Sequence, residues 1–130
     1  IPALIRKCIE AQRAGLDQIT CWGTGAASRE FLYVDDAADG VVRAAEVMNE
    51  PEPVNLGTGS EITIRDLVTL IARLCDFKGA IAWDASKPDG QPRRCLDTQR
   101  AAQRLNWRAQ VGFQEGLRRT IEWYRSHGTT

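Results

Sequence analysis

The sequence has only one histidine, no C-x-x-C pair and no long apolar run. The four cysteines at positions 8, 21, 75 and 95 are far apart, and His127 lies near the C-terminus, so the ligand spacing of a zinc site is missing and no metal site is predicted. No apolar stretch approaches the roughly 18–20 residues of a membrane span. Lys and Arg (17) balance Asp and Glu (17), which excludes a global field for nucleic acid or an anionic membrane.

The residue sets of common active sites are also missing. The one histidine, His127, lies in a tail predicted to fray, which leaves no Ser-His-Asp arrangement. Neither tyrosine begins a Tyr-x-x-x-Lys pair, because Tyr33 is followed four positions later by Ala37 and Tyr124 by Gly128. We therefore predict no catalytic residue in this chain. Nothing indicates secretion, so the cysteines are predicted to be free thiols in a reducing cytoplasm.

What remains is globular composition, with 43% hydrophobic and 26% charged residues in 130 positions, the size of one ordinary domain. Helical and strand patterns alternate, which predicts an α/β fold with few short strands and about five helices. The chain lacks an initiator Met, which suggests a piece of a longer protein. The predicted helices are 2–14, 35–48, 63–75, 98–105 and 114–125, and the predicted strands are 19–22, 30–34, 54–56 and 80–83.

Several local details follow from these patterns. Asp35, Thr63 and Thr98 are placed to cap the helices that follow them, and Asp66 completes a capping-box-like pair with Thr63. The tail, 126–130, is predicted to fray. The inward face of the helix at 35–48 is predicted to consist of Ala38, Val41, Val42, Ala45 and Met48.

Two Gly-Thr-Gly turns resemble cofactor loops at first sight. A dinucleotide-binding loop needs G-x-G-x-x-G between a strand and a helix. Residues 23–28 read G-T-G-A-A-S and lead into a strand pattern, while 57–59 precede a helix but carry only two glycines. Both are better interpreted as tight turns that need φ > 0, so no cofactor-binding residue is predicted.

Cations lie close to these turns. Together with Trp22 beside the first turn, a convergent set of them would suit a diphosphate joined to a flat base, although each can equally be a solvated surface charge and Trp22 a core residue. The cations are Lys7, Arg29, Lys87, Arg93 and Arg94.

The segments "WGTGAASREFLYVDDAAD" at 22–39, "VNLGTGSEITIRDL" at 54–67 and "WDASKPDGQPRRCLD" at 83–97 carry a family resemblance. With "IPALIRK" and "EGLRRTIEWY", they make the chain similar to the C-terminal part of the GDP-L-fucose synthase family. This family is a branch of the extended short-chain dehydrogenase/reductases and of the NAD-dependent epimerase/dehydratase group, with a Rossmann-like fold. "DASKPDGQPRR" is what favours this branch over other nucleotide-sugar enzymes.

The resemblance implies an enzyme whose N-terminal Rossmann domain binds NADP(H) and whose C-terminal portion binds GDP-4-keto-6-deoxy-mannose. That enzyme epimerises the sugar at C3 and C5 and then reduces the C4 ketone. The resemblance also implies that the NADP loop and the catalytic Ser, Tyr and Lys lie outside this chain, so that no cofactor binds these residues alone. Carried over by position, the GDP-sugar contacts are Lys7, Trp22, Arg29, Asp89 and Arg94.

The whole chain, 1–130, is thus predicted to be a nucleotide-sugar-binding C-terminal portion. Its elements at 35–56 are expected to pack on the Rossmann domain, and the apolar surface meant for that domain predicts a homo-oligomer or strand-exchanged dimer of the isolated chain. Two alternatives stay open at this point. One is a portion of another nucleotide-sugar epimerase or dehydratase, and the other is a non-catalytic binding or interaction module.

Overall fold

A computed structural model describes residues 1–128, and within them it has the predicted α/β architecture with few short strands and five helices. The helices are α1 (Pro2–Arg13), α2 (Val34–Val47), α3 (Ile64–Leu74), α4 (Gln99–Leu105) and α5 (Phe113–His127). The strands are β1 (Gln18–Trp22), β2 (Ser28–Arg29), β3 (Ile62–Thr63), β4 (Ala80–Asp84) and β5 (Arg93–Arg94).

The chain divides into two compact units, each assembled from separate stretches of sequence. The first unit contains residues 1–29, 62–93 and 118–128 of the described chain, and the second contains 30–61 and 94–117.

A parallel strand pair organises the first unit. β1 and β4 pair in register from Gln18 opposite Ala80 to Trp22 opposite Asp84. Parallel neighbours need a long crossover, and here the connection includes α3. α3 buries Leu67, Val68, Ile71 and Ala72, and Cys8 and Cys75 are fully buried in this unit.

The start of α3 confirms its predicted cap. Thr63 is the N-cap residue, and its hydroxyl oxygen accepts a hydrogen bond from the Asp66 N–H at 3.0 Å. The hydroxyl also lies 2.7 Å from the Asp66 carboxylate. β3 pairs antiparallel with β2, Ser28 opposite Thr63, so the helix begins directly beside the loop that precedes β2.

A small apolar cluster organises the second unit. Ala101, Leu105 and Trp107 are buried together, and the Trp107 indole N–H donates to the Asp39 carboxylate at 2.9 Å. The partly buried side chains packed against this cluster are Leu32, Ala44, Met48, Val54, Leu56 and Ala109.

Two predicted strands are wrong. Residues 30–33 are not part of a β-ladder, and only Ser28–Arg29 forms a strand. Residues 54–56 have no strand pairing either. Val54 and Leu56 instead pack on the Trp107 cluster, while the Asn55 side chain donates to the Asp97 carbonyl at 3.2 Å. The alternation of Val54 and Leu56 therefore reflects burial of one side of an extended segment, not pairing in a β-ladder.

The predicted caps at Asp35 and Thr98 are also wrong. α2 begins one residue earlier, so Tyr33 is its N-cap and Asp35 lies exposed in the first turn. Thr98 occupies the N-cap of α4 without a capping bond, and Asp97 accepts the Gln99 N–H at 2.9 Å instead.

The tail is predicted to fray from residue 126, but the last helix extends beyond that point. α5 continues through Ser126 to His127, whose ring stacks on Trp123 with centroids 4.9 Å apart. Residues 129–130, also predicted to fray, lie outside the described residues.

Of the five residues predicted to face inward on α2, only Met48 packs against the core of the second unit. Val41 and Val42 are 61% and 58% exposed, and Ala38 and Ala45 are exposed as well. The buried residues of this helix are Asp36 and Gly40. The burial of Asp36 is tolerated because its carboxylate accepts two backbone N–H groups, those of Gln110 at 3.1 Å and Val111 at 2.9 Å. An apolar helix face is thus left uncovered by the second unit.

Within residues 1–128 no helix has the length and apolarity to cross a membrane. No cluster of His, Cys, Asp and Glu in the same range could hold a metal ion.

Candidate functional site

The loop from Trp22 to Arg29 joins β1 to β2 in the first unit. Gly23 and Gly25 have φ values of +79° and +76°, as predicted for a tight turn. A strand follows the loop, so its N–H groups do not continue into the first turn of a helix. The geometry therefore differs from that of a dinucleotide-binding loop.

Asp89 holds this loop from the N–H side. Its Oδ1 accepts the N–H of Thr24 at 2.7 Å and that of Gly25 at 3.3 Å, and its Oδ2 accepts the Thr24 hydroxyl at 2.6 Å. The hydrogen bonds from the Thr24 hydroxyl and N–H lower the pKa of Asp89 below its usual range. Oδ2 keeps a lone pair, so the carboxylate can still accept a hydroxyl from a ligand.

Two of the predicted contact residues stand at the ends of this loop. Trp22 is 71% exposed, and Lys87 Nζ lies 5.8 Å from the centroid of its indole ring. At the other end, one arm of the Arg29 guanidinium donates to the Ser28 carbonyl at 2.6 Å. The other arm, Nη2, lies beside Gly90, 3.6 Å from where a Cβ atom would be. Asp89 thus joins Trp22 and Arg29 in one region of the first unit.

Lys7 reaches the same strand from α1. Its ammonium donates to the Thr20 carbonyl at 2.5 Å, and Thr20 shares the exposed face of β1 with Trp22. Lys7 also lines a cleft of about 570 Å³ along α1 and β1. The fifth predicted contact residue, Arg94, belongs to the second unit, where it is exposed and its carbonyl accepts the Glu30 N–H at 3.1 Å.

The second Gly-Thr-Gly turn, residues 57–59, encloses a carboxylate of its own unit. Glu30 Oε1 accepts the N–H groups of Thr58 and of Gly59, the latter at 2.9 Å, and Oε2 accepts the Leu96 N–H at 2.6 Å. Burial by itself would raise the pKa of Glu30, but the hydrogen bonds from Leu96, Gly59 and Thr58 outweigh it and lower the pKa. A Cβ atom at Gly57 would lie 2.3 Å from Oε1, which explains the glycine.

Both turns therefore direct their N–H groups at carboxylates of this chain. A pyrophosphate needs the same N–H groups, and it would be repelled by Asp89 at the first turn and by Glu30 at the second. Neither turn fits the diphosphate of NADP.

Three buried thiols offer no ready nucleophile. Burial raises the pKa of the Cys8 thiol to about 12 and also raises the pKa values of Cys21 and Cys75. A protonated, buried thiol is a poor nucleophile.

Sequence reasoning missed two residues that hold the two turns, Arg65 at the first and Glu30 at the second. Arg65 donates to the Thr24 carbonyl at 2.5 Å and lies over the Trp83 ring, 4.8 Å from its centroid. Glu30 was not singled out because it looked like one position of a strand. Arg65 lies in the first turn of α3, where an arginine looks like an ordinary exposed helix residue. The G-T-G pattern was the available signal, since turn N–H groups require an acceptor.

Comparison with known proteins places these features in a family context. Residues 1–57 match the NAD dependent epimerase/dehydratase family. Over 95% of its length the chain is 43% identical to a probable GDP-L-fucose synthase 1 of Oryza sativa subsp. japonica and 39% identical to the GDP-L-fucose synthase of Escherichia coli K12. The structure of a GDP-L-fucose synthetase from Naegleria fowleri bound to NADP superposes with a TM-score of 0.90 at 27% identity, covering 98% of this chain and 40% of that one.

These matches confirm the resemblance to GDP-L-fucose synthases and the α/β fold related to theirs. The chain spans 38% of the rice relative and 41% of the bacterial one, about two fifths of each.

Proposed function

Since the chain is similar to a portion of GDP-L-fucose synthases, in the NAD-dependent epimerase/dehydratase family, we propose that it forms the GDP-sugar-binding portion of such an enzyme. The complete enzyme would epimerise GDP-4-keto-6-deoxy-mannose at C3 and C5 and reduce its C4 ketone with NADPH. Both G-T-G turns enclose carboxylates, so NADP would bind to the remainder of the enzyme. The role of this chain is then to bind and orient the nucleotide sugar.

The observation that supports this proposal is the exposed Trp22 ring at one end of a fixed loop whose other end is Arg29. An indole that is 71% exposed on a strand end presents a flat apolar surface for a base or sugar. The planar guanidinium of Arg29 suits bidentate contact with a diphosphate, and Lys87 adds a second cation near the ring.

The other predicted residues take supporting roles in the proposal. Lys7 adds positive charge on the exposed face of β1, and Asp89 accepts a ligand hydroxyl through its remaining lone pair. Arg94, an exposed cation of the second unit, stays a predicted contact residue. The chain has no net charge, so the positive charge that would attract a dianionic diphosphate has to come from local cations such as Arg29 and Lys87.

We further propose that the exposed face of α2 is covered by the NADP-binding portion of the enzyme. This face exposes Val41 and Val42, whereas the solvent-facing side of a helix normally carries charged or polar residues. In the isolated chain this face favours self-association.

Titration calorimetry of the chain with GDP, UDP and dTDP tests the proposed ligand. We expect GDP to bind more tightly than the two pyrimidine nucleotides, and Arg29→Ala to weaken GDP binding by about 1.5–3 kcal/mol, the scale of hydrogen bonds to charged groups. Arg13→Ala is the matched control, because Arg13 is an exposed cation at the end of α1.

Three outcomes would contradict the proposal. A preference for UDP or dTDP would assign the chain to another nucleotide-sugar enzyme. An unchanged affinity in Arg29→Ala would remove Arg29 from the site. No GDP binding by the chain at millimolar concentration would refute the proposed binding role of these residues on their own.

A further inference from the structure

The loop of residues 23–28 must be ordered before Trp22 and Arg29 can act together. It contains two glycines with positive φ, and fixing a backbone residue costs conformational entropy. If this order exists before the ligand binds, the cost does not reduce the affinity. The contacts that fix the loop in the free protein are therefore relevant to binding.

Three carbonyl groups of the loop are tied to the beginning of α3. The backbone N–H of Ile64 donates to Ala27 O at 2.8 Å, and the backbone N–H of Arg65 donates to Gly25 O at 2.9 Å. The Arg65 side chain adds a third bond, from Nη2 to Thr24 O at 2.5 Å. The first turn of a helix has N–H groups without helical partners, so the two backbone bonds come with the fold.

The side-chain bond is different, because it depends on one residue type. Trp83 from β4 packs directly under the loop, since a Cβ atom at Gly25 would lie 2.6 Å from its ring. The Arg65 guanidinium lies over the same indole, 4.8 Å from the centroid. The ring thus orients the planar guanidinium toward the Thr24 carbonyl, an arrangement that the ammonium of lysine would not reproduce.

Asp89 and Arg65 therefore bind opposite sides of Thr24. The carboxylate accepts its N–H, and the guanidinium donates to its carbonyl. With both peptide groups of Thr24 bound, the residue has little freedom to turn, and the two glycines beside it are restrained as well.

We propose that Arg65 is a positioning residue for the nucleotide site: it fixes the loop between Trp22 and Arg29 in its binding conformation before the ligand arrives. The expected effect on GDP affinity rests on the proposed function. The restraint of the loop by the Arg65 side chain is independent of any ligand.

Hydrogen exchange of the free chain tests the restraint directly. In Arg65→Met, which keeps much of the aliphatic length but removes the donor, we expect the Thr24 and Gly25 amides to exchange about tenfold faster. The exchange rates of the β1 amides that face β4 should be unchanged. They are the internal control, since a general loss of stability would accelerate their exchange as well. Arg13→Met removes an equivalent exposed cation and should leave the loop amides unchanged.

Calorimetry with GDP tests the consequence. Arg65→Met should bind GDP about tenfold more weakly than the wild type, and Arg65→Lys should restore little of that loss, because lysine keeps the charge but not the planar fork. In a background of Trp22→Ala and Arg29→Ala, removing Arg65 should have little further effect, since a positioning residue acts through the groups it positions.

The outcomes separate the two proposals. If the wild type does not bind GDP but Arg65→Met accelerates loop exchange, the proposed function fails and the restraint by Arg65 stands. If the wild type binds GDP and Arg65→Met exchanges and binds like the wild type, the positioning role is wrong. Full restoration of binding by Arg65→Lys would also overturn it, because it would make Arg65 a simple charge for the phosphates.

Discussion

Replacing Glu30 with Gln should destabilise the second unit more than an ordinary surface substitution. The carboxylate accepts three backbone N–H groups, from Thr58, Gly59 and Leu96, and such charge-assisted bonds contribute about 1.5–3 kcal/mol each. Gln keeps one oxygen for the 58–59 turn but directs an NH₂ group at the Leu96 N–H. One bond is lost and two lose their charge assistance, so we expect a loss of about 2–4 kcal/mol in the free energy of unfolding.

Urea denaturation followed by circular dichroism measures this loss. Glu46→Gln is the matched control, because Glu46 pairs with Arg43 at the surface with its side chain 59% exposed. Surface pairs contribute about 0–1 kcal/mol, so the control should be nearly neutral. If Glu30→Gln were as stable as Glu46→Gln, the account of the 57–59 turn as an internal carboxylate site would be refuted.

The same variant should respond differently to acid. The pKa of Glu30 is lower in the folded chain than in the unfolded chain, where it is near the ordinary 4.5. The carboxylate therefore contributes its full stability above pH 4.5, and this contribution is lost as the pH falls through the folded pKa. The difference in unfolding free energy between the wild type and Glu30→Gln should be constant near neutral pH and shrink below pH 4.5.

Three further changes test other parts of the structure. Thr63→Ala removes the side-chain cap of α3 and should lower the free energy of unfolding in urea by about 1 kcal/mol, whereas Thr69→Ala, within the helix, should cost less. Gly23→Ala places a Cβ atom 2.2 Å from Asp89 Oδ1 at a residue with φ of +79°, so it should displace the carboxylate and accelerate exchange of the loop amides; unchanged exchange would contradict the tight packing. Val41→Glu combined with Val42→Glu should reduce self-association in light scattering, and a wild-type chain that stays monomeric at high concentration would argue against an interaction face on α2.

The pattern of residues was sufficient for the elements whose stability is local. α3 lies within the predicted range 63–75, and its capping pair between Thr63 and Asp66 appears as predicted. β1 and β4 are short apolar runs bounded by turn residues, and their bounds differ from the prediction by one residue at an end. Local rules succeeded for α3 because a helix satisfies its own hydrogen bonds, and for β1 and β4 because their composition marks them as strands although each needs the other for its ladder.

The same rules failed where a residue has a distant partner. Glu30 looked like part of a strand, but the N–H groups that donate to its carboxylate are in the 57–59 turn and at Leu96, far along the chain. Asp36 follows the predicted cap Asp35 at the start of a helix, but its carboxylate is buried against the backbone of Gln110 and Val111. Neither partner could be identified from spacing, because carboxylates accept from any N–H that the fold brings near.

By itself the sequence determined the α/β class, the strands β1 and β4, the positive-φ turn beside Trp22 and, through its motifs, the resemblance to GDP-L-fucose synthases. Only the tertiary structure decided which group occupies each G-T-G turn and which side of α2 is exposed. The physical reason is that turn geometry follows from local backbone preference, whereas the acceptor for a turn's N–H groups is supplied by a residue such as Asp89, 65 positions away from Thr24.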